Sequence, residues 1–319
     1  MYKILCLCLF LVLALPGWAH SHHHHYHHHH HYHHYHHYHH RMASIHRRHP
    51  LHHRHAATPA VVSKNLQLAS NAALVIDARN DHILYSKNQD QSVPIASISK
   101  LMTAMVLLDA HQEMDTVLNI TEEDVDNLRH SMSRLPVGTA LTRKDLLLLA
   151  LMASENRAAH ALARNYPGGL TQAIAAMNAK ARALGMQHTH FIDPTGLHAE
   201  NQSTPNDLAL MVKAADKYPL IHQFTTTRTQ IFAVGTNHHE HEFRNTDPLL
   251  KSTHWNIDLS KTGYINESGK CLVLEANIDT RPIIMVLMHS WGSQTRFGDA
   301  NRVRAWLDAG YGDAGSHTN

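Results

Sequence analysis

Residues 94–106 read PIASISKLMTAMV, and the division of the rest of the chain follows from this stretch. Pro94 sets a turn-like start; from Ser97 onward the residues are good helix formers, with apolar side chains at Leu101, Met105 and Leu108. That spacing predicts a buried helix beginning near Ser97 and reaching His111. Upstream, Ala73-Leu74-Val75-Ile76-Asp77, a polar turn at Arg79-Asn80-Asp81 and then Ile83-Leu84-Tyr85 read as a β-hairpin. Downstream, Thr142 has the position of an N-cap for a helix through Leu146 to Met152, and helical pattern resumes over 155–164, leaving Ser154 in the break. Thr171 is expected to cap a helix ending at Gly185, and Thr204-Pro205 with Asp207 to open another. After Phe224 the pattern returns to strands, at 257–259, 270–276 and 282–288, before a last helix over 297–309. Strands at both ends with helices between them predict an α+β fold: an antiparallel sheet flanked by helices, its terminal strands shared, with an inserted α-helical subdomain.

The chain has 319 residues, 28 Lys+Arg against 26 Asp+Glu, and 43% apolar residues, which suits one large or two small globular domains and excludes a coiled coil. Of its 35 histidines, 21 lie between His20 and His55, so the formal charge of +2 averages over two unlike regions. Lys3, the apolar run from Ile4 to Leu15 and the small-x-small pattern Gly17-Trp18-Ala19 read as a secretory signal peptide, residues 1–19, which implies an exported protein. Cleavage removes Cys6 and Cys8 and leaves Cys271 alone. Residues 20–60 are of low complexity and lack the apolar residues a core needs. Their imidazoles, His22, His23, His24 and His25 first among them, are suitable ligands for Zn, Cu or Ni; the alternative is a solvated tether that gains charge as pH falls through ~6.5. The globular domain is expected over 61–313, with a tail at 314–319.

Ser97-Ile98-Ser99-Lys100 places a hydroxyl and an amine at i and i+3 at the start of the buried helix. A serine is a poor nucleophile unless something accepts its proton, and a lysine can do so if burial and a neighbouring cation hold it neutral. Alone, the quartet reads more readily as an N-cap followed by a surface lysine. Two further motifs change the weighting: Ser154-Glu155-Asn156 between two helices, and Lys261-Thr262-Gly263 at the end of a strand. The three fall in that order along the chain, and an ordered set of three is far rarer by composition than any member.

With these motifs the chain resembles the penicillin-binding, serine β-lactamase-like enzymes. Within them it is most similar to the low-molecular-mass DD-peptidases and their D-alanyl-D-alanine endopeptidases. The resemblance is carried by PIASISKLMTAMV (94–106), LTRKDLLLLALMASENRAAHALARNYPGG (141–169), IAAMNAKARALGM (174–186), DPTGL (193–197), FRNT (243–246) and WNIDLSKTGY (255–264). It implies a β-lactamase/transpeptidase-like fold, peptidoglycan stem peptides as substrates, β-lactams as covalent inhibitors, no cofactor, no nucleic-acid partner and a periplasmic location. It also implies roles. Ser97 would be the acylated nucleophile, Lys100 its base, and Ser154 a proton relay to the leaving amine. Asn156 would bond the substrate amide, Lys261 with Thr262 of the Lys261-Thr262-Gly263 strand would hold a substrate carboxylate, and the backbone N–H groups of Ser97 and Tyr264 would form the oxyanion hole.

Three reactions fit this machinery: cleavage of a D-alanyl to meso-diaminopimelyl cross-link, removal of a terminal D-alanine, and β-lactam hydrolysis. Carboxypeptidases of the family usually carry a further β-rich domain and an anchor, and neither is expected here, since about ten residues follow the last helix. A β-lactamase needs a deacylating acid; Glu200, Glu240 and Glu242 are candidates, with Glu200 expected to be a solvated loop residue. A metal-binding envelope protein is the reading from another class, and His238-His239-Glu240-His241 could extend the tract, although a solvated hairpin loop is the plainer expectation. Trp255 is expected in the core or at an edge, Arg244, Asn245 and Asp247 at the sheet edge, and His160 on a helix face rather than as a base.

Overall fold

The computed structural model describes residues 65–313. The readings of residues 1–19, of the 20–60 tract with its metal ligands His22, His23, His24 and His25, and of the 314–319 tail lie outside the described residues. In chain order the elements are β1 (Ala72–Asp77), β2 (His82–Lys87), β3 (Val93–Pro94), α1 (Ser99–Asp109), β4 (Val117–Asn119), β5 (Ala140–Thr142), α2 (Arg143–Met152), α3 (Asn156–Arg164) and α4 (Gly169–Ala183). Then follow β6 (Gln202–Ser203), α5 (Pro205–Ala215), α6 (Pro219–Thr226), β7 (Thr229–Val234), β8 (His239–Arg244), β9 (Asn256–Ile265), β10 (Gly269–Ile278), β11 (Arg281–Ser290) and α7 (Thr295–Asp308).

Five strands form one antiparallel sheet in the order β2-β1-β11-β10-β9, so the first strand pairs with the last, Ala72 opposite Met288 and Asp77 opposite Ile283. Side chains alternate between two cores. Leu74, Ile76, Val273, Ile284 and Val286 face the helical subdomain, and Val75, Leu272, Leu274, Met285 and Leu287 face α7. Because both faces are covered, these strands read as continuous apolar runs rather than the alternation of a half-solvated antiparallel sheet. The helices α1 to α6 lie between β2 and β9 in sequence, as the inserted subdomain requires. No helix among the described residues is long and apolar enough to cross a membrane.

The helix starts at Thr142 and Thr204 hold: each hydroxyl accepts the N–H three residues on, from Asp145 and Asp207. Elsewhere the boundaries shift. Thr171 is not a cap, since α4 begins at Gly169 behind Gly168 (φ +85°), whose left-handed backbone turns the chain after Pro167 without a side-chain cap. Helix α1 proper begins at Ser99, with Ser97 in a preceding 3-10 turn, Ala96–Ile98. The Lys261-Thr262-Gly263 triplet lies inside the ten-residue strand β9 rather than at its end, because β10 continues pairing to Ile265 opposite Gly269. The segment at 238–241 is not a loop: His239 and His241 belong to β8, opposite Val234 and Phe232, and only His238 (φ +51°) is in the turn.

One carboxylate in the sheet is placed against its charge. Glu275, on β10, is buried with Oε2 unpartnered, and burial together with the charges of Asp216 and Asp258 raises its carboxyl to about 7. The folded state therefore binds this proton at pH values where the unfolded chain has released it, and its contribution is lost as pH rises from the ordinary glutamate value through about 7. Glu275→Gln is expected to raise the stability at pH 8 by roughly 1–3 kcal/mol and to change it little at pH 4, as read from urea unfolding at the two values.

Candidate active site

The site forms where the 3-10 turn carrying Ser97 meets the open edge of the sheet. Strand β9 is that edge, and at Gly263 it passes so near the turn that a Cβ would stand 2.9 Å from Ile95 O and 3.2 Å from Ser97 N. The glycine is required by this approach, not by its backbone angles. A second glycine presses from the other side: a Cβ on Gly196 (φ +82°) would lie 1.8 Å from Ala96 O. Ala96 itself has φ +49°, so the residue before the nucleophile is held in a conformation that costs an alanine ~1 kcal/mol or more. Asp193 and Asn201 hold the loop that does this. Asp193 Oδ1 accepts from the N–H groups of Thr195 (2.6 Å) and Gly196 (2.7 Å), while Asn201 Nδ2 donates to Asp193 O and to Ser99 Oγ.

Lys100 is buried, and its Nζ has three neighbours: Asn156 Oδ1 (2.7 Å), Thr195 O (2.7 Å) and Ser97 Oγ (2.8 Å). Burial lowers its pKa to about 7 against the opposing charges of Asp193 and Glu155. A neutral amine has two N–H groups and one lone pair. The amide and carbonyl oxygens can only accept, so they take the two N–H groups, and the lone pair is left for the one neighbour with a proton to give, Ser97. Lys100 is thus no surface lysine, and its third side faces Ser97.

Lys261 is equally buried, and its Nζ donates to Ser154 Oγ (2.9 Å) and Thr262 O (2.9 Å). Burial first, then the charges of Lys100 and Arg296, push it well below the usual lysine range. Ser154 reaches Lys261 because the chain bulges between α2 and α3: the N–H groups of Ala153 and Glu155 both bond Leu149 O, and Ser154 is thrown outward with φ +59°. Asn156 completes the wall, its Nδ2 donating to Ser131 Oγ (2.9 Å). Thr262 Oγ1 bonds Thr246 Oγ1 (2.6 Å), and Tyr264 stands exposed at the mouth under the Lys270 ammonium. Ser97, Arg129, Ser131, Asn156 and Tyr264 are walls of one cleft of ≈ 270 Å³.

The sequence profile of the D-alanyl-D-alanine carboxypeptidase family of serine peptidases (family S11) matches residues 57–291. The chain belongs to this family. It is 48% identical over 244 residues to a D-alanyl-D-alanine endopeptidase of Pseudomonas aeruginosa, covering 76% of this chain and 79% of that one. A D-alanyl-D-alanine endopeptidase of Escherichia coli is 43% identical over 251 residues, 79% of this chain and 81% of the relative. The Streptomyces K15 DD-transpeptidase has a similar crystal structure, with a TM-score of 0.70 and 27% identity over 78% of this chain and 98% of that one.

The remaining sequence candidates lie elsewhere. Glu200 is exposed on its loop, and Glu240 and Glu242 are exposed on β8, Glu242 paired with Arg244. Among the described residues no group of three or more His, Cys, Asp or Glu is arranged to hold a metal ion, so His238, His239 and His241 do not form one. Trp255 packs on the α7 side of the sheet, its Nε1 donating to Asn301 and the Arg304 guanidinium over its ring. Asn245 Nδ2 bonds Thr225 O and Thr227 O, and Asp247 accepts from Ser260 Oγ, so this stretch pins the edge of β9. Thr195, Arg129 and Ser131 were not singled out in the sequence; the first acts through its backbone and the others sit on an irregular loop with no periodic signal.

Two outcomes follow. Acylation by a β-lactam should slow about tenfold for each pH unit below about 7, because the proton on Lys100 then occupies the lone pair, and a stopped-flow pH profile checks it. Gly196→Ala should abolish acylation, since the added methyl displaces the Ala96 carbonyl and with it Ser97; labelling with a fluorescent penicillin reads this.

Proposed function

We propose that this chain is a serine D-alanyl-D-alanine endopeptidase that cleaves peptidoglycan cross-links through an acyl-enzyme at Ser97. The observation that carries the reading is the environment of Lys100, a buried amine with two fixed acceptors and the nucleophile on its third side. Ser97 passes its proton to Lys100 as Oγ attacks the D-alanyl carbonyl carbon. Charge on the tetrahedral oxygen meets the N–H groups of Ser97 and Tyr264, a reading supported by the close passage of β9 at Gly263, where a Cβ would stand 3.2 Å from Ser97 N. The C–N bond breaks, the leaving amine takes a proton by way of Ser154, and water then releases the acyl group.

The two lysines are coupled by substrate. A carboxylate bound between Lys261 and Thr262 favours the protonated form of Lys261, and the restored positive charge favours loss of the proton from Lys100. The base is strongest when a substrate carboxylate is in place. In a cross-link that carboxylate sits on the stereocentre bearing the leaving amine, the position a terminal D-alanine fills in a carboxypeptidase substrate.

Similarity supports the endopeptidase over the carboxypeptidase reading, since the endopeptidases of P. aeruginosa and E. coli are 48% and 43% identical and the carboxypeptidase DacF of Bacillus subtilis 29%. Residues 1–19 support export to the periplasm, where this substrate lies, and β-lactams would trap Ser97 as a stable acyl-enzyme. For the 20–60 tract, composition alone supports uptake of Zn, Cu or Ni.

Purified cross-linked muropeptide dimers and pentapeptide monomers, digested by the mature chain and by Ser97→Ala and read by mass spectrometry, test the proposal. Dimers should become monomers with the wild type and stay intact with the variant. Loss of terminal D-alanine alone would make the protein a carboxypeptidase.

A further inference from the structure

Three neighbouring strands of the sheet end beside the catalytic cleft, and their end residues form a row. Tyr264 on β9 pairs with Lys270 on β10, and Lys270 pairs with Ser290, the last residue of β11, one position before Trp291. At about 4.8 Å per strand, the row leads about 10 Å away from Tyr264, which is itself a wall of the cleft. The reaction at Ser97 uses none of it beyond the Tyr264 N–H.

Both aromatic rings of this row face solvent. Among the described residues Trp306 is buried and Trp255 is partly covered, whereas Trp291 is 60% exposed and Tyr264 54%. Both rings are held in place. The carbonyl of Trp291 accepts from Thr295 Oγ1, Gly292 turns the chain at φ +88°, and the indole stands edge-on to His289, with 5.2 Å between centroids and 83° between planes. His289 in turn lies against β10, where a Cβ on Gly269 would stand 3.4 Å from its Cα. Tyr264 donates its hydroxyl to Asn266 Oδ1 (2.8 Å), and the Lys270 ammonium lies 4.2 Å from its ring centroid.

The exposed polar groups around the rings are uncharged: Asn266 beside Tyr264, and Ser293 and Gln294 beyond Trp291. Glu267, the one acid within 264–270 and 289–294, is engaged by Arg129 (3.0 Å). Lys270 is paired on both sides, so the row offers side chains and no free strand edge for a peptide to join. Fixed, exposed aromatic faces set among amides and hydroxyls suit a ligand that is apolar on its faces and polar at its rim. A pyranose ring has this character, with C–H groups on its faces and hydroxyl and acetamido groups around its edge.

We propose that Tyr264, Lys270 and Trp291 form a saccharide-binding shelf that holds the glycan strand of peptidoglycan beside the cleft, with a sugar ring stacked on the Trp291 indole. The inference rests on the endopeptidase reading. Each stem peptide of the wall is attached to a sugar, so a cross-link lying in the cleft keeps its strands within a stem's length of Ser97. The shelf begins at a cleft wall and continues outward along the sheet end, a path from the reacting bond toward that sugar. Lys270 adds N–H donors for hydroxyl and acetamido oxygens. Trp291 touches no reacting atom and acts in binding alone.

The test compares cross-linked fragments that keep several disaccharides with the same cross-linked peptides freed of sugar by an amidase. The mature wild-type chain should cut the sugar-bearing fragments with kcat/KM about tenfold higher, the scale of one aromatic anchor in an interface. Trp291→Ala should remove that advantage, chiefly through KM, while the rate on sugar-free peptides and labelling by a fluorescent penicillin stay unchanged. Trp291→Phe, which keeps an aromatic face, should retain part of it. Peptide-free glycan strands should change the tryptophan fluorescence of Ser97→Ala saturably, and the added Trp291→Ala should abolish the response; the 20–60 tract is present in both, so the difference isolates the shelf. Equal rates on the two substrates by wild type, an equal loss on both with Trp291→Ala, or no binding of peptide-free strands would overturn the shelf and leave the endopeptidase standing. If wild type cuts neither substrate, the endopeptidase reading falls, whereas Trp291-dependent binding of peptide-free strands would still uphold the shelf.

Discussion

Two amines are buried a few side chains apart, and the structure around them is organised by the cost of charging both. In water each would carry a proton at neutral pH; in this site burial opposes both charges and mutual repulsion opposes the second. The carboxylates of Asp193 and Glu155 lie near enough to act on Lys100, yet each is already engaged, Asp193 by its own loop and Glu155 by Ser133 and Arg134. They moderate the field without forming an ion pair with Lys100. A direct carboxylate partner would fix the proton on the amine and deny it the base role proposed for it.

That constraint explains why so much backbone strain collects here. Ala96, Ser154 and Gly196 all have positive φ, and each one sets the position of a group that touches Lys100, Lys261 or Ser97. The helices α1, α2 and α3 are packed in the large core, so these strained positions fall outside them, ahead of α1, between α2 and α3 and in the loop after α4.

The sheet and most helices were legible because their signals are local: apolar runs in β1, β10 and β11, and hydroxyl caps at Thr142 and Thr204. Helix α6 was not, being eight residues long and threonine-rich at its end, and neither was the β7–β8 hairpin, whose mostly exposed strands bury only Val234 and Phe243 and so show no sustained alternation. In the site, Ser97, Lys100, Ser154, Asn156 and Lys261 could be named from their spacing in three motifs. Thr195 acts through a carbonyl and Arg129 through a loop that crosses the cleft to Glu267, and neither kind of contribution leaves a periodic trace. His160 was visible as a residue but not as part of a cavity, because its partner Asp124 comes from a separate turn that folding brings against α3.

The pairing of β1 with β11 carries a consequence for how the molecule comes to be. The two central strands of the sheet come from opposite ends of the domain, so the largest loop closure must be completed before either core is sealed. Such non-local topology raises the contact order and slows folding. A ribosome or translocon delivering the chain from its N-terminus releases Ser97 long before β11. The edge that faces Ser97 is built on β10, and β10 is built on β11, so the nascent chain has no assembled catalytic cleft until almost its whole length has emerged.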